Sequence, residues 1–195
     1  MKIEESFYQR GDVVRIAKEL LGKGLFTMNR GVITGGIIVE TEAYSSTERG
    51  SHAFNNRMTL RNEVMFTAGG HAYVYLCYGI HNLFNVVTNQ YGKADAVLIR
   101  ALEPIDGITL MIRRMKAKNE KRITSGPGKL TKALGIDRRL NGENLWSRRL
   151  WLEDIGVTFK KSEIVSSPRI GIDYAGQDAL LPWRFSVKAN SWVSK

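Results

Sequence analysis

A chain of 195 residues, 43% hydrophobic and 25% charged, carries enough apolar surface for one compact domain spanning residues 1–195. It has no apolar run near the roughly twenty residues that a membrane helix needs, and its single cysteine, Cys77, excludes an intramolecular disulfide and suits a reducing cytosol. The formal charge of +10 is concentrated: Ile108 to Arg149 hold twelve Lys or Arg against Glu120, Asp137 and Glu143. Such a field suits a polyanion, most simply nucleic acid, although an unused solvated face has the same composition. Nothing resembles an amphipathic membrane anchor, and the opening Met-Lys-Ile-Glu-Glu-Ser lacks the apolar core of a signal peptide. A cytoplasmic location is therefore expected.

In chain order, Asp12 is a candidate N-cap for a helix from Val13 to Leu21, with Val14, Ala17 and Leu21 on its core face and Gly22 ending it. Leu25–Met28 and Val32–Ala43 read as strands, loosened at Gly31, Gly35 and Gly36. The second strand is anomalous. Along Ile37–Tyr44, alternation puts Glu40, Glu42 and Tyr44 on one face, with neighbouring carboxylates roughly 7 Å apart. A carboxylate entering an apolar strand must be solvated, paired or used, because burying it alone is costly. Residues 45 to 62 are polar and read as a long ordered loop with some helix, a length often associated with function.

Ala72–Cys77 and Leu83–Thr88 form a predicted hairpin around Tyr78-Gly79-Ile80-His81, and Ala96–Ala101 is a further strand. A helix is predicted over Ile108–Asn119, with Leu110, Met111 and Met115 inward and Arg113, Arg114, Lys116 and Lys118 outward. A short helix at Lys129–Leu134 and strands at Ile164–Val165, Ile170–Ile172 and Arg184–Val187 complete the outline. Many strands with few helices predict an α+β domain: a curved antiparallel or mixed sheet flanked by helices, with a protruding hairpin.

Familiar sites are missing from this pattern. Ser125-Gly126-Pro127-Gly128-Lys129-Leu130 lacks the first glycine and the Ser/Thr of a phosphate loop; it reads either as a loop that opens a helix and holds one DNA phosphate on its amides, or as a plain turn. His52, His71 and His81 lack metal-ligand spacing, and Cys77 has no partner for a zinc deaminase site, so no metal is expected. In the hairpin, Tyr73 and Tyr75 share a face, while Tyr78 and Ile80 fall at the tip. There they either fold back as core or wait for a receiver such as a duplex base stack. Arg100, ending its strand, is a structural partner for Glu40 or Glu42 or an active-site cation, and Asn85 is a polar residue inside a strand.

Taken in order, Val-Glu-Thr-Glu-Ala-Tyr, His52, Arg61-Asn62, Met65-Phe66, Tyr73-Val-Tyr75, Tyr78-Gly79, Asn85 and Leu-Ile-Arg-Ala-Leu-Glu-Pro resemble the alkyladenine (3-methyladenine) DNA glycosylase family. Ser-Gly-Pro-Gly-Lys-Leu-Thr-Lys-Ala-Leu-Gly-Ile and the closing Ser191-Trp192-Val193-Ser194 fit the same pattern, nearly end to end. The resemblance implies a monofunctional base-excision repair enzyme, monomeric and without a cofactor, acting on double-stranded DNA that contains damaged purines. It implies Glu42 as general base, and Arg100 as the residue that helps hold the attacking water. Tyr44, His52 and Tyr75 become walls of the base pocket, and Asn85 the residue that crowds the amino group of guanine. Tyr78, with Ile80 beside it, becomes the intercalating wedge, and Arg61, Arg113, Arg114, Lys116 and Lys129 are candidates for the DNA backbone.

The chemistry of these residue types is compatible. Breaking an N-glycosidic bond develops oxocarbenium character that a carboxylate stabilises, and the same carboxylate can take a proton from water. Purines alkylated at N3 or N7 are cationic, and tyrosine faces attract cations. Two rivals are a non-catalytic nucleic-acid-binding module, and a nucleoside hydrolase, which leaves the basic segment and the hairpin tip unexplained.

Overall fold

The computed structural model describes residues 1–194, and its spine is the thirteen-residue strand β2 (Val32–Tyr44). One half of β2 pairs with β1 (Gly24–Asn29), and nearly its whole length pairs with β5 (Asp95–Asp106). β5 continues to β4 (His81–Thr88) and then β3 (Ala72–Cys77), while β1 carries the short β6 (Leu150–Glu153) at the opposite edge. Where β1 leaves β2, at Glu40–Glu42, β8 (Arg184–Val187) takes its place, with β7 (Ile164–Ser167) outside it. Every pairing is antiparallel. The expected α+β class holds, and the sheet is wholly antiparallel rather than mixed.

The main core lies between this sheet and its helices. α1 (Glu5–Tyr8) and α2 (Val13–Glu19) bury Tyr8, Val13, Ile16 and Ala17. Asp12 caps α2 as expected, its side chain accepting from the Arg15 N–H at 2.9 Å. A second, smaller cluster of Ala53, Met65, Phe66, Tyr73, Val87, Ala94 and Ala96 packs under the long loop. Asn62 knits that loop: its amide donates to the carbonyls of His52 and Arg57 and accepts from Thr59. Gly35 faces the ring of Phe26, which stacks on Trp151 with centroids 5.6 Å apart. A Cβ there would collide with that ring, so the glycine serves packing rather than looseness.

Three expectations need correction. The predicted helix from Ile108 stops as α3 (Ile108–Met115), because Lys116 turns left-handed at φ 52° and Ala117 N–H bonds back to Ile112. No glycine or proline announces that stop. Ile170–Ile172 is not a strand but a turn that carries the Ile170 N–H inward. Arg114, expected outward, turns inward and donates from Nη1 to the carbonyl of Ala133 (2.8 Å) and to Thr34 Oγ1 (3.1 Å). It thereby ties β2 to the C-terminal end of α4 (Pro127–Leu134), where a cation is favourable. Arg113, by contrast, is exposed.

Chemical denaturation separates the two arginines. Arg114→Ala is expected to cost about 1–2 kcal/mol by leaving carbonyls unpaired. Arg113→Ala is expected to change stability by less than about 0.5 kcal/mol.

Candidate active site

Strand pairing creates the site by interrupting itself. The β2/β5 register shifts between Ile38 and Thr41, leaving Val39 and Arg100 without opposed partners. Such bulges re-aim side chains, and Arg100 lies with its guanidinium between the two carboxylates of β2. Its Nε donates to Glu40 Oε1 at 3.1 Å, and its Nη1 stands 3.2 Å from Glu42 Oε1. Burial alone would lower the Arg100 pKa, but Glu42 and Glu40 outweigh it and hold the guanidinium charged.

The two carboxylates have different surroundings. Glu40 takes four donors: its Oε1 accepts from Arg100 Nε, Arg184 Nε (2.7 Å) and Ser194 Oγ (2.9 Å), and its Oε2 from the Ser194 N–H (2.7 Å). Glu42 accepts from the Ile170 N–H at Oε1 (2.8 Å) and from the Tyr44 hydroxyl at Oε2 (2.8 Å), in addition to its Arg100 ion pair. With about four lone-pair positions on a carboxylate, one acceptor position remains on Oε2. Burial first, then the charge of Glu42, raises the Tyr44 pKa well above its ordinary value, so the phenol keeps the proton it donates.

Beside this charged patch opens a cleft of about 680 Å³, within the roughly 300–1,000 Å³ of small-molecule sites. Glu42, fully buried, does not itself line it, but Arg100, Tyr44 and Ile170, which hold Glu42, do. Tyr44, His52, Tyr75, Asn85 and Arg100 all line it, together with Arg61, Tyr78 and Lys129 at its rim. Tyr75 stacks on Tyr73 with centroids 5.3 Å apart, and His52 meets Tyr75 edge-on at 4.6 Å. His52 Nδ1 shares a 2.9 Å hydrogen bond with the Tyr73 hydroxyl. Desolvation by these rings, then the Arg61 charge, lowers the His52 pKa to about 4, although one edge of the ring stays open to solvent. Arg61 lies over the Tyr75 ring at 5.2 Å, and is thus a member of the pocket mouth. Asn85 points its amide nitrogen at the Tyr73 carbonyl (3.2 Å).

The hairpin tip does not fold back. Tyr78 and Ile80 are 86% and 72% exposed, and Tyr78 and Gly79 both take positive φ in the turn. Arg113, on α3, and Lys116, just past its end, do not line the cleft, and neither does Arg114. Among the described residues no group of three His, Cys, Asp or Glu could hold a metal ion, and no helix is long and apolar enough to cross a membrane.

Several residues that hold the site were not singled out from sequence. Arg169 is buried, with a bidentate ion pair to Glu48 (2.6 and 2.8 Å) and a hydrogen bond to the Ala43 carbonyl. Its guanidinium lies over the rings of Tyr44 (4.7 Å) and Trp183 (5.3 Å). It thus joins the loop that leads to His52, the wall residue Tyr44 and the Ile170 N–H that holds Glu42. Ser-Ser-Pro-Arg reads as exposed loop, and nothing in its pattern marks a buried charge. Tyr174, also in the cleft wall, donates to the Gly50 carbonyl at 3.2 Å.

A family profile described as methylpurine-DNA glycosylase (MPG) matches residues 6–191. The chain belongs to the methylpurine-DNA glycosylase family. It is 46% identical to a protein of Carboxydothermus hydrogenoformans over the full length of both chains, and 44% identical to one of Bacillus cereus strain G9842, again full length. A Chlamydia felis protein is 44% identical over 94% of each chain. All three are provisionally named 3-methyladenine DNA glycosylases. Family membership makes this protein a DNA glycosylase of base-excision repair, and the cleft described above is its candidate active site.

Two measurements probe how the glycosylase holds this site. Arg169→Ala leaves Glu48 buried without its partner and is expected to cost about 3–5 kcal/mol in chemical denaturation. The depressed His52 pKa means that the unfolded chain binds a proton the folded one refuses, so stability should fall as the pH drops from about 6.5 to about 4. NMR titration should show the His52 imidazole neutral above that window, and His52→Gln should remove its share of the fall.

Proposed function

We propose that the enzyme extrudes alkylated or deaminated purines from duplex DNA and hydrolyses their N-glycosidic bond with a water activated by Glu42. The substrate class is 3-methyladenine, the base in the relatives' names, together with 7-methylguanine, hypoxanthine and ethenoadenine. The observation that carries the reading is the charged wall of the cleft. Glu42 is fully buried behind that wall, and its three holders, the Ile170 N–H, Tyr44 and Arg100, all line the tyrosine-rich cavity, with one acceptor position of its Oε2 left over. A docking module has no need of a carboxylate held against its cavity in this way.

In this mechanism the extruded base enters between Tyr44 and Tyr75, whose faces attract the positive charge of an alkylated ring. The carboxylate stabilises the developing oxocarbenium ion and receives the proton of the attacking water, which Arg100 helps to hold. Arg100 also keeps the two carboxylates from repelling one another. Asn85 crowds the amino group of guanine. Tyr78, with Ile80 beside it, fills the space the base leaves, and Arg61, Arg113, Lys116 and Lys129 supply positive charge towards the backbone. The enzyme acts as a cytoplasmic, single-domain monomer without a cofactor.

Single-turnover assays on duplexes with one hypoxanthine or methylated purine test this reading. Wild type should release the base, whereas Glu42→Gln should bind normally and release it about 100- to 10,000-fold more slowly, as for a lost general base. Absence of release from every damaged duplex would contradict the reading. Tyr78→Ala should slow release from a paired lesion about tenfold or more while sparing an unpaired one, because extrusion from a stacked pair is the costly step. Equal losses on both would remove Tyr78 as the wedge.

A further inference from the structure

The start of α4 is built as though its helix cap were meant for another molecule. A serine at the N-cap would satisfy the first free amides, but Gly126 occupies the N-cap, and the serine stands one residue earlier. Ser125 is 95% buried and lines the cleft, yet its hydroxyl has no hydrogen-bond partner among the described residues. Nor does any protein group among them accept from the N–H of Gly128 or Lys129. Lys129, exposed, lines the same wall of the cleft. An unused buried hydroxyl, two unused amides and an ammonium group converge on one short segment.

The segment is held firmly. Ser125 is bridged to Ala101, the residue after Arg100, and Thr124 Oγ1 donates to the Leu102 carbonyl at 2.6 Å. On its other side, Thr131 Oγ1 donates to the Asn82 carbonyl (2.7 Å), which fixes α4 against the base of the hairpin. The ring of His81 lies against Gly128 so closely that a Cβ there would approach it to 2.9 Å. The free donors therefore stand between Arg100 and the hairpin that carries Tyr78.

We propose that Ser125, the Gly128 and Lys129 amides and the Lys129 ammonium form a binding site for one phosphodiester, the one attached to the extruded nucleotide. The proposal rests on the DNA glycosylase reading and deepens it. A nucleotide whose base lies in the tyrosine pocket, while Tyr78 fills its former place, must run its backbone between those two points. A phosphate suits donors of this kind: helix N-terminal amides favour an anion, and a hydroxyl and an ammonium complete a charge-assisted set. The site gives the enzyme a reason to prefer a nucleotide within a strand over a free nucleoside.

The test measures affinity in the Glu42→Gln background, for duplexes containing one hypoxanthine and either normal phosphates or a neutral methylphosphonate at the phosphate immediately 5′ or 3′ of it. One of the two replacements should weaken binding about tenfold, the loss of one charge-assisted contact. Ser125→Ala and Lys129→Ala should weaken binding to the normal duplex several-fold, and change it by less than about twofold on the sensitive methylphosphonate duplex, because coupled groups are not additive. Ser125→Ala should leave the melting temperature unchanged or raised, since it removes an unpaired buried hydroxyl. A purely structural serine would do the opposite. Losses that multiply on both methylphosphonate duplexes, or variants that bind every duplex like the parent, would overturn the proposal. Because the readout is binding, it decides this question even if wild type released no base, a result that would count against the proposed chemistry instead.

Discussion

Four charges in one patch, three buried and one partly buried, govern the arrangement of this protein. Glu40 and Glu42 come from β2, Arg100 from β5 and Arg184 from β8, and the two signs balance. None of the four could be buried alone without a large desolvation penalty. Together they require that β5 and β8 meet β2 at the same point, where the β2/β5 register is broken by a bulge. Ser194 closes the patch from the C-terminal side with two hydrogen bonds to Glu40. Glu42, the proposed general base, is thus held by contacts from residues far apart in the chain.

The division of labour between the carboxylates follows from the same patch. Glu40 takes four donors, and of the residues that supply them only Arg100 lines the cleft, so Glu40 balances charge and fixes Arg100. Glu42 is held by Tyr44, Ile170 and Arg100, all of which line the cleft, and keeps one acceptor position on Oε2. Around it, the pocket walls come from elements that the sheet brings together: Tyr44 from the end of β2, Tyr75 and Asn85 from the hairpin, and His52 from a loop locked by Glu48 and Arg169. Rigidity matters here because a base excised from DNA must be chosen by shape, among many normal purines that differ from it by a few atoms.

Much of this was legible in the sequence wherever local pattern and tertiary structure agree. Ala72–Cys77 and Arg184–Val187 form strands over the expected residues, because alternating β-branched and aromatic residues bounded by turn residues leave little freedom. The clash of Glu40 and Glu42 with an apolar strand pointed to the ion-paired patch that adjoins the cleft. What failed were features decided by distant partners. Arg114 looked like a solvated arginine on an amphipathic helix, yet the C-terminal end of α4 draws it inward. Ile170–Ile172 has the composition of a strand, but the demand of Glu42 for an N–H donor bends it into a turn. Arg169, Glu48 and Ser194 carry no periodic signal, because their partners lie more than a hundred residues away.

The central claim is that the glycosidic bond of an extruded purine comes to rest over Glu42 and Arg100. A crystal structure of the Glu42→Gln enzyme on a duplex containing one hypoxanthine tests it most directly. The account predicts the base between Tyr44 and Tyr75, its anomeric carbon facing the carboxamide at position 42, and Tyr78 in the vacated stack. A hypoxanthine still stacked in the helix, or extruded into any place other than this cleft, would contradict it.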